Sequence, residues 1–260
     1  MEYSFVRSNS KYLAVLKRKY LENGETGFVE DGILCRGGVR CDDDGHWRFM
    51  EGDEDEIWAN APRRILIVDK YPDGECTSLV YETGQLRYSG AREAQFPLRF
   101  YRNILRAVHG FEITTGSRFV SFDEFTMEDA VLSFDTAAVA RINLWKSASD
   151  VGISDRSLRQ HLKRYEEDIR MQMDILDPDI ILCCSGVVFD TVMSVCFNDE
   201  YETNDPRLSW IHYLAGDRKR IVVNSYHPAY CGISESFFYN EMMKDYHGFL
   251  RQHPEYQSFR

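Results

Sequence analysis

Four short apolar runs, each closed by polar residues or glycine, constrain the fold of this chain more than any other feature. They cover residues 65–68, 137–145, 180–184 and 220–223, and they are rich in Ile, Val, Leu, Ala and Cys. Continuous apolar runs of this length are typical of strands that are buried on both faces of a parallel sheet. The sequence therefore predicts four buried strands.

Patterns of helical spacing lie between these runs and at both ends of the chain. Ser154 is a candidate N-cap for a long amphipathic helix that stops before Asp177 and Pro178. Similar patterns predict helices over residues 11–21, 96–109, 187–197 and 237–250. Strands that alternate with helices indicate an α/β fold with three layers, α/β/α, around a mainly parallel, four-stranded central sheet.

The first sixty residues differ from the rest. A helix is predicted at 11–21, but residues 22–60 are rich in Gly and Asp and indicate turns with short strands such as 32–35. We interpret residues 1–60 as an N-terminal helix and an irregular acidic extension that packs on the main domain. Residues 61–260 then form the α/β domain, and a hydrophobic content of 43% is ample for its core.

The cysteines and the apolar segments indicate a soluble, cytoplasmic protein. Seven cysteines are scattered without CxxC pairs, which favours reduced thiols and argues against a metal or iron–sulfur site. No segment reaches the ~18 consecutive apolar residues of a membrane span. We therefore predict no metal, no cofactor and no membrane partner.

The net charge of −11 is unusual for a protein that binds nucleic acid, because such proteins usually carry a basic surface. Eight acidic residues lie between positions 42 and 56, however, and a run of this kind usually forms a solvated loop. The charge of the remaining chain permits a basic groove.

Polar side chains follow three of the predicted strands. Asp69 follows the first, Asn143 ends the second, and His227 lies in the Ser-Tyr-His-Pro turn after the fourth. Because the carboxyl ends of parallel strands meet at one edge, a carboxylate, a carboxamide and an imidazole are expected to share a site there.

These segments resemble, in chain order, motifs of the uracil-DNA glycosylase superfamily. The resemblance covers ILIVDKYPDG, a YSG segment followed by RFYRNIL, then INLWK, DPDIILCCSG and VVNSYHPAY, or about residues 64–230. It implies a uracil-DNA glycosylase-like fold and a DNA glycosylase that flips a base, uracil or another altered base, out of DNA. The enzyme would hydrolyse the N-glycosidic bond with water and without strand cleavage.

The resemblance also implies roles for individual residues. His227 matches the histidine that donates to the departing base, and Asn143 matches the carboxamide that reads a base edge. Tyr88 matches the aromatic on which the flipped base stacks, and Tyr230 or Ile233, just beyond the His-Pro turn, is expected to enter the space that the base leaves. Phosphate contacts are expected from the following residues: Lys146, Ser225 and Ser89.

The first loop departs from the family pattern. With Pro72 matched to the loop proline, Tyr71 stands where one branch has its catalytic aspartate. The acid that positions water is then Asp73 or Asp69, with a preference for Asp73, and Glu75 stays open. Two other functions stay open as well, a catalytically inactive binding module of the same fold and an α/β hydrolase that acts on a small nucleotide.

Overall fold

The helices and strands alternate along most of the chain. The structure is a computed structural model and describes residues 4–41, 47–72, 76, 78–87, 98–148, 152–198, 201–203, 210–214 and 218–259. Within these ranges the helices are α1 (Phe5–Glu22), α2 (Glu54–Asn60), α3 (Leu79–Gly84), α4 (Arg99–Ile113), α5 (Met127–Thr136), α6 (Asp155–Leu176), α7 (Gly186–Phe197) and α8 (Glu235–Gln252). The strands are β1 (Gly32–Ile33), β2 (Val39–Cys41), β3 (Trp47–Phe49), β4 (Arg64–Asp69), β5 (Ala138–Asn143), β6 (Ile180–Cys183), β7 (Glu202–Thr203), β8 (Ile211–Leu214) and β9 (Arg220–Asn224).

The main sheet is mixed. In the part of the chain that the structure describes, its strand order is β1-β5-β4-β6-β9-β8-β7. The four apolar runs form β5, β4, β6 and β9, which are parallel to one another, whereas β1, β8 and β7 pair antiparallel at the two edges. The α/β class is confirmed. The predicted four-stranded sheet is not, because three antiparallel strands extend it.

Helices cover both faces of this sheet, as the two sides of β4 show. Ile65 and Ile67 contribute to one buried cluster, which includes residues of α4, α5 and α8. Leu66 and Val68 contribute to a second cluster with residues of α2, α6 and α7. Successive side chains of a strand point to opposite faces, so both faces of β4 are buried against helices. None of the described helices is both long and apolar enough to cross a bilayer.

The N-terminal segment is built into the main fold. Helix α1 starts at Ser4, whose Oγ accepts a hydrogen bond from the Arg7 N–H, and it packs against Tyr165 of α6 through Leu16 and Tyr20. Strand β1 is an edge strand of the main sheet. Trp58 of α2 is fully buried and donates from Nε1 to the Leu176 carbonyl at 2.9 Å. Residues before position 61 therefore contribute to the central core.

The acidic stretch is partly helical, which differs from the prediction of an irregular loop. Glu54, Asp55 and Glu56 form the first turn of α2, where the helix dipole favours negative charge. Glu54 is only 7% exposed and accepts hydrogen bonds from the N–H groups of Arg36 and Gly52. These acids therefore have structural roles. Residues 42–46 of the stretch lie outside the described part of the chain.

Candidate functional site at the carboxyl edge of the sheet

The register of the parallel strands brings their polar ends to one level. Asp69 is the Cα partner of Asn143, and Cys183 is the partner of both Val68 and Asn224. The pairing continues past the strands, since Leu144 donates its N–H to the Asp69 carbonyl at 2.9 Å. The ends of β5 and β4 thus lie side by side, and the end of β9 lies at the same edge with β6 between it and β4.

His227 faces Asp69 across this edge. Its Nε2 lies 3.6 Å from Asp69 Oδ1, and 45% of the His227 side chain is exposed while Asp69 is buried. The Ala229 N–H donates to His227 Nδ1 at 3.2 Å, so the neutral ring carries its proton on Nε2. The Asn103 carboxamide holds the turn by donating to the Pro228 carbonyl at 2.7 Å. His227 therefore presents an N–H donor at the edge of the sheet.

A buried arginine controls the charge of Asp69. Arg141 reaches Asp69 Oδ2 at 3.4 Å and donates to Thr83 Oγ1 at 3.0 Å. Burial raises the pKa of Asp69, but the nearby His227 imidazole and the charge of Arg141 outweigh it, and the pKa lies below its ordinary value. The ring of Phe100 lies between Arg141 and His227, 4.6 Å from the guanidinium and 5.5 Å from the imidazole centroid. Asp69 is therefore ionised at neutral pH.

The side chain of Asn143 is fully buried, and neither of its two carboxamide atoms has a hydrogen-bond partner among the described residues. Its main-chain N–H, by contrast, donates to Asp31 Oδ2 at 2.8 Å. Each unpaired buried donor or acceptor costs about 1–3 kcal/mol. A polar group that is retained at this cost beside Asp69 is a strong indication of a ligand that completes its hydrogen bonds.

Two predicted residues after β9 have different environments. Ser225 is buried, and its hydroxyl lies 2.9 Å from the Cys183 carbonyl, to which it donates. Tyr230 is 50% exposed and stacks on Tyr226, with ring centroids 5.6 Å apart and planes 16° apart. Tyr230 is thus accessible to a partner, whereas the Ser225 side chain supports the backbone of the turn.

The first loop is described only in part. Pro72 is buried and Tyr71 is half-buried, with Lys70 Nζ 6.0 Å from the Tyr71 ring centroid. Asp73, Glu75, Tyr88 and Ser89 lie outside the described residues, so their roles stay predictions. Of the two candidate aspartates, Asp69 is the one that the structure places beside His227.

Lys146 is not placed to contact a phosphate. Its side chain is fully buried, and Nζ lies 2.6 Å from Asp31 Oδ2 and 2.6 Å from Gln172 Oε1. Burial lowers the pKa of Lys146, opposed by the Asp31 carboxylate. The ion pair joins the loop after β5 to β1 and α6. We therefore remove Lys146 from the candidate site.

Replacing Lys146 with methionine is expected to lower the free energy of unfolding by about 3–5 kcal/mol, because Asp31 would remain buried without its cation. Chemical denaturation of the two proteins measures this difference. The matched control is Lys70→Met, since Lys70 pairs with Asp155, whose side chain is 57% exposed. That change should cost less than about 1 kcal/mol. Equal losses in the two variants would contradict the buried ion pair.

Arg141 was missed by the sequence analysis, which treated residues 137–145 as one apolar strand. A lone arginine inside such a run indicates a buried charge, and buried charges need partners.

Two arginines of α4 form ion pairs within the protein. Arg102 and Arg106 both pair with Glu235. They hold α4 to α8 and are not free to contact a phosphate.

Comparison with known proteins does not place the chain in a family. No protein-family model matches it, and no curated protein matches it significantly. The functional assignment therefore depends on the residues at the carboxyl edge and on their geometry.

Proposed function

We propose that the protein is a monofunctional DNA glycosylase, which flips an altered base out of DNA and hydrolyses its N-glycosidic bond. The observation that carries the proposal is the unpaired, buried carboxamide of Asn143, which lies in register with Asp69 at the edge where His227 presents its N–H. A carboxamide offers both a donor and an acceptor, the pair of groups that a pyrimidine edge requires.

In the proposed reaction, Asp69 stabilises the positive charge on the sugar and His227 stabilises the negative charge on the departing base. As the bond between the sugar C1′ and the base nitrogen breaks, its electron pair leaves with the base and the sugar acquires oxocarbenium character. The ionised Asp69 stabilises this positive charge and accepts a hydrogen bond from the attacking water. The His227 Nε2–H donates to the departing base, where negative charge develops. Water oxygen then bonds to C1′ and gives its proton to Asp69, from which it passes to the base anion, so that the products are an abasic sugar and a neutral base.

Hydrolysis without strand cleavage is favoured by the environments of Lys70 and Lys146, the lysines that follow β4 and β5. Strand cleavage by a Schiff base requires a free amine. Lys146 is buried in its ion pair, and Lys70 Nζ lies 2.6 Å from Asp155 Oδ1. Water is therefore the proposed nucleophile that attacks the sugar C1′.

We also propose that the chain is related to the uracil-DNA glycosylase superfamily. Four parallel strands with polar carboxyl ends support it, and the antiparallel strands at the edges are additions to that core. We further propose a cytoplasmic location, which six of the seven cysteines support because each of these six is a free thiol.

A second candidate is a binding module of the same fold without catalytic activity. The net charge of −11 favours it, because proteins that bind nucleic acid usually carry a basic surface, and Arg102 and Arg106 pair with Glu235. The Asp69–His227 pair favours the enzyme. A hydrolase that acts on a free nucleotide would use the same pair, so the substrate has to be tested directly.

The test uses single-stranded and duplex oligonucleotides that carry a panel of altered bases, uracil among them. After incubation with the protein, alkali converts any abasic site to a strand break. We expect breaks for at least one base with the wild type, and none without alkali. Binding of the oligonucleotides without breaks for any base would favour the binding module. Hydrolysis of free nucleotides alone would favour a hydrolase that acts on a small nucleotide.

A further inference from the structure

A cavity of about 420 Å³ opens next to the candidate site, between the end of β5 and the start of α6. Its volume lies within the range of about 300–1,000 Å³ that is usual for small-molecule sites. The residues that line it include Trp145, Ser147, Ala148, Ser154 and Ser157. Glu25 also lines it, and its carboxylate lies 3.4 Å from His161 Nδ1 and 3.6 Å from Arg164 Nη1.

The Trp145 ring is held in place by a stack of aromatic side chains. It lies on the His161 imidazole, with centroids 3.9 Å apart and planes 10° apart. His161 Nε2 in turn lies 2.8 Å from the Tyr20 hydroxyl. Burial lowers the pKa of His161 to about 4, so the imidazole is neutral at physiological pH. Trp145 therefore lines the cavity with a rigid, uncharged aromatic surface.

Ser147 contributes a polar group that lacks a partner. Only 8% of this residue is exposed, and its Oγ has no hydrogen-bond partner among the described residues. The backbone around it is fixed, because the Ala148 N–H donates to the Gly27 carbonyl at 2.9 Å. A buried hydroxyl in a fixed loop that lines a cavity is a second, independent indication of a ligand.

The cavity and the candidate site belong to one edge of the sheet. Trp145 follows Asn143 by two residues, and its N–H donates to the Lys70 carbonyl at 3.0 Å, directly beyond Asp69. Trp145 packs on the α6 side of the sheet, whereas Asn143 and Asp69 continue the strand positions that face α4 and α8. A DNA strand that crosses this edge could therefore contact both sides of it.

We propose that the cavity binds a second nucleobase of the same strand, stacked on Trp145 with its polar edge hydrogen-bonded to Ser147. This inference rests on the proposed function, because it assumes that the strand crosses the carboxyl edge. Stacking accepts every base, since each has a π-face, so the cavity contributes affinity for unpaired DNA with little sequence preference. Ser154 and Ser157, whose hydroxyl oxygens lie 2.8 Å apart, line the same cavity at the start of α6.

The test measures binding of a fluorescein-labelled single-stranded hexanucleotide without any altered base, by fluorescence anisotropy. Trp145→Ala is expected to raise Kd about tenfold or more, and Trp145→Phe to raise it less than about threefold. Ala148→Leu, which fills the cavity and leaves the Trp145 stack intact, is expected to raise Kd like Trp145→Ala. If circular dichroism shows that Trp145→Ala is unfolded, Ala148→Leu decides the question.

Unchanged Kd values in Trp145→Ala and Ala148→Leu would overturn the inference. Displacement of the labelled hexanucleotide by methyl glucoside, but not by the same hexanucleotide without its label, would overturn the inference as well. The cavity would then hold a sugar ring. The measurement does not require excision. A protein that excises bases while its Kd is independent of Trp145 would refute only the second base site, and Trp145-dependent binding without excision from any substrate would refute only the glycosylase.

Discussion

Replacing Asn143 with leucine is expected to abolish base excision without lowering the free energy of unfolding. In the wild type, both carboxamide atoms of Asn143 are buried without a partner among the described residues. An apolar side chain of similar shape removes that unfavourable burial, so the variant should be as stable as the wild type or more stable by about 1 kcal/mol or more. Excision should fall by at least ~100-fold, because the base loses its two hydrogen bonds.

The matched control is Asn103→Leu. Asn103 is equally buried, and its Oδ1 also has no partner among the described residues, but its Nδ2 donates to the Pro228 carbonyl. Leucine would leave that carbonyl unpaired and should cost about 1–3 kcal/mol. Denaturant unfolding and single-turnover excision, measured on both variants, separate the two environments. A destabilised Asn143→Leu variant that still excises its base would show that Asn143 is a structural residue.

Replacing Asp69 with asparagine is expected to reduce both activity and stability. The change leaves the buried Arg141 without its carboxylate, at a cost of roughly 3 kcal/mol in the free energy of unfolding. It also removes the charge that is proposed to stabilise the sugar cation and the acceptor for the water proton, so excision should fall about 10²–10⁴-fold. Asp155→Asn is the control, because this aspartate is 57% exposed and should contribute less than about 1 kcal/mol.

The stability difference between wild type and Asp69→Asn should depend on pH with a definite sign. The pKa of Asp69 in the folded protein lies below that of the unfolded chain, which is about 4. Its ionisation therefore stabilises the fold above pH ~4, and this contribution is lost as the pH falls through the lower folded-state pKa. Urea titrations between pH 7 and pH 3 should show the difference narrowing below pH ~4. A constant difference over this range would contradict the lowered pKa of Asp69.

The central strands could be predicted from the sequence, but the edges of the sheet could not. The run at residues 65–68 is apolar and β-branched, and it forms the middle of β4. Strands β1 and β7 have two residues each, too few for any period to be visible. Strand β8 pairs antiparallel with β9, and alternation with helices predicts only parallel neighbours.

The candidate site could likewise be predicted only in part from the sequence. His227 and Asn143 were predicted because each follows a recognisable strand, and the register places Asn143 beside Asp69. The preference for Asp73 over Asp69 came from matching Pro72 to the loop proline, and it stays a prediction because Asp73 lies outside the described residues. The pairing of Asp69 with Arg141, 72 residues away in the chain, was not predicted. Lys146 was expected to contact a phosphate because it follows the end of a predicted strand, but it is buried against Asp31, which the pairing of β1 with β5 brings close. Such long-range pairs have no local signal in a single sequence.

The measurement that tests the central claim most directly is the single-turnover rate constant for base release by wild type and His227→Ala on the best substrate of the panel. His227 is 45% exposed on its side chain, so the substitution should leave the fold intact. Removing a donor to the leaving base should lower the rate constant about 10²–10³-fold. Equal rate constants in the two proteins would contradict a glycosylase site at this edge of the sheet.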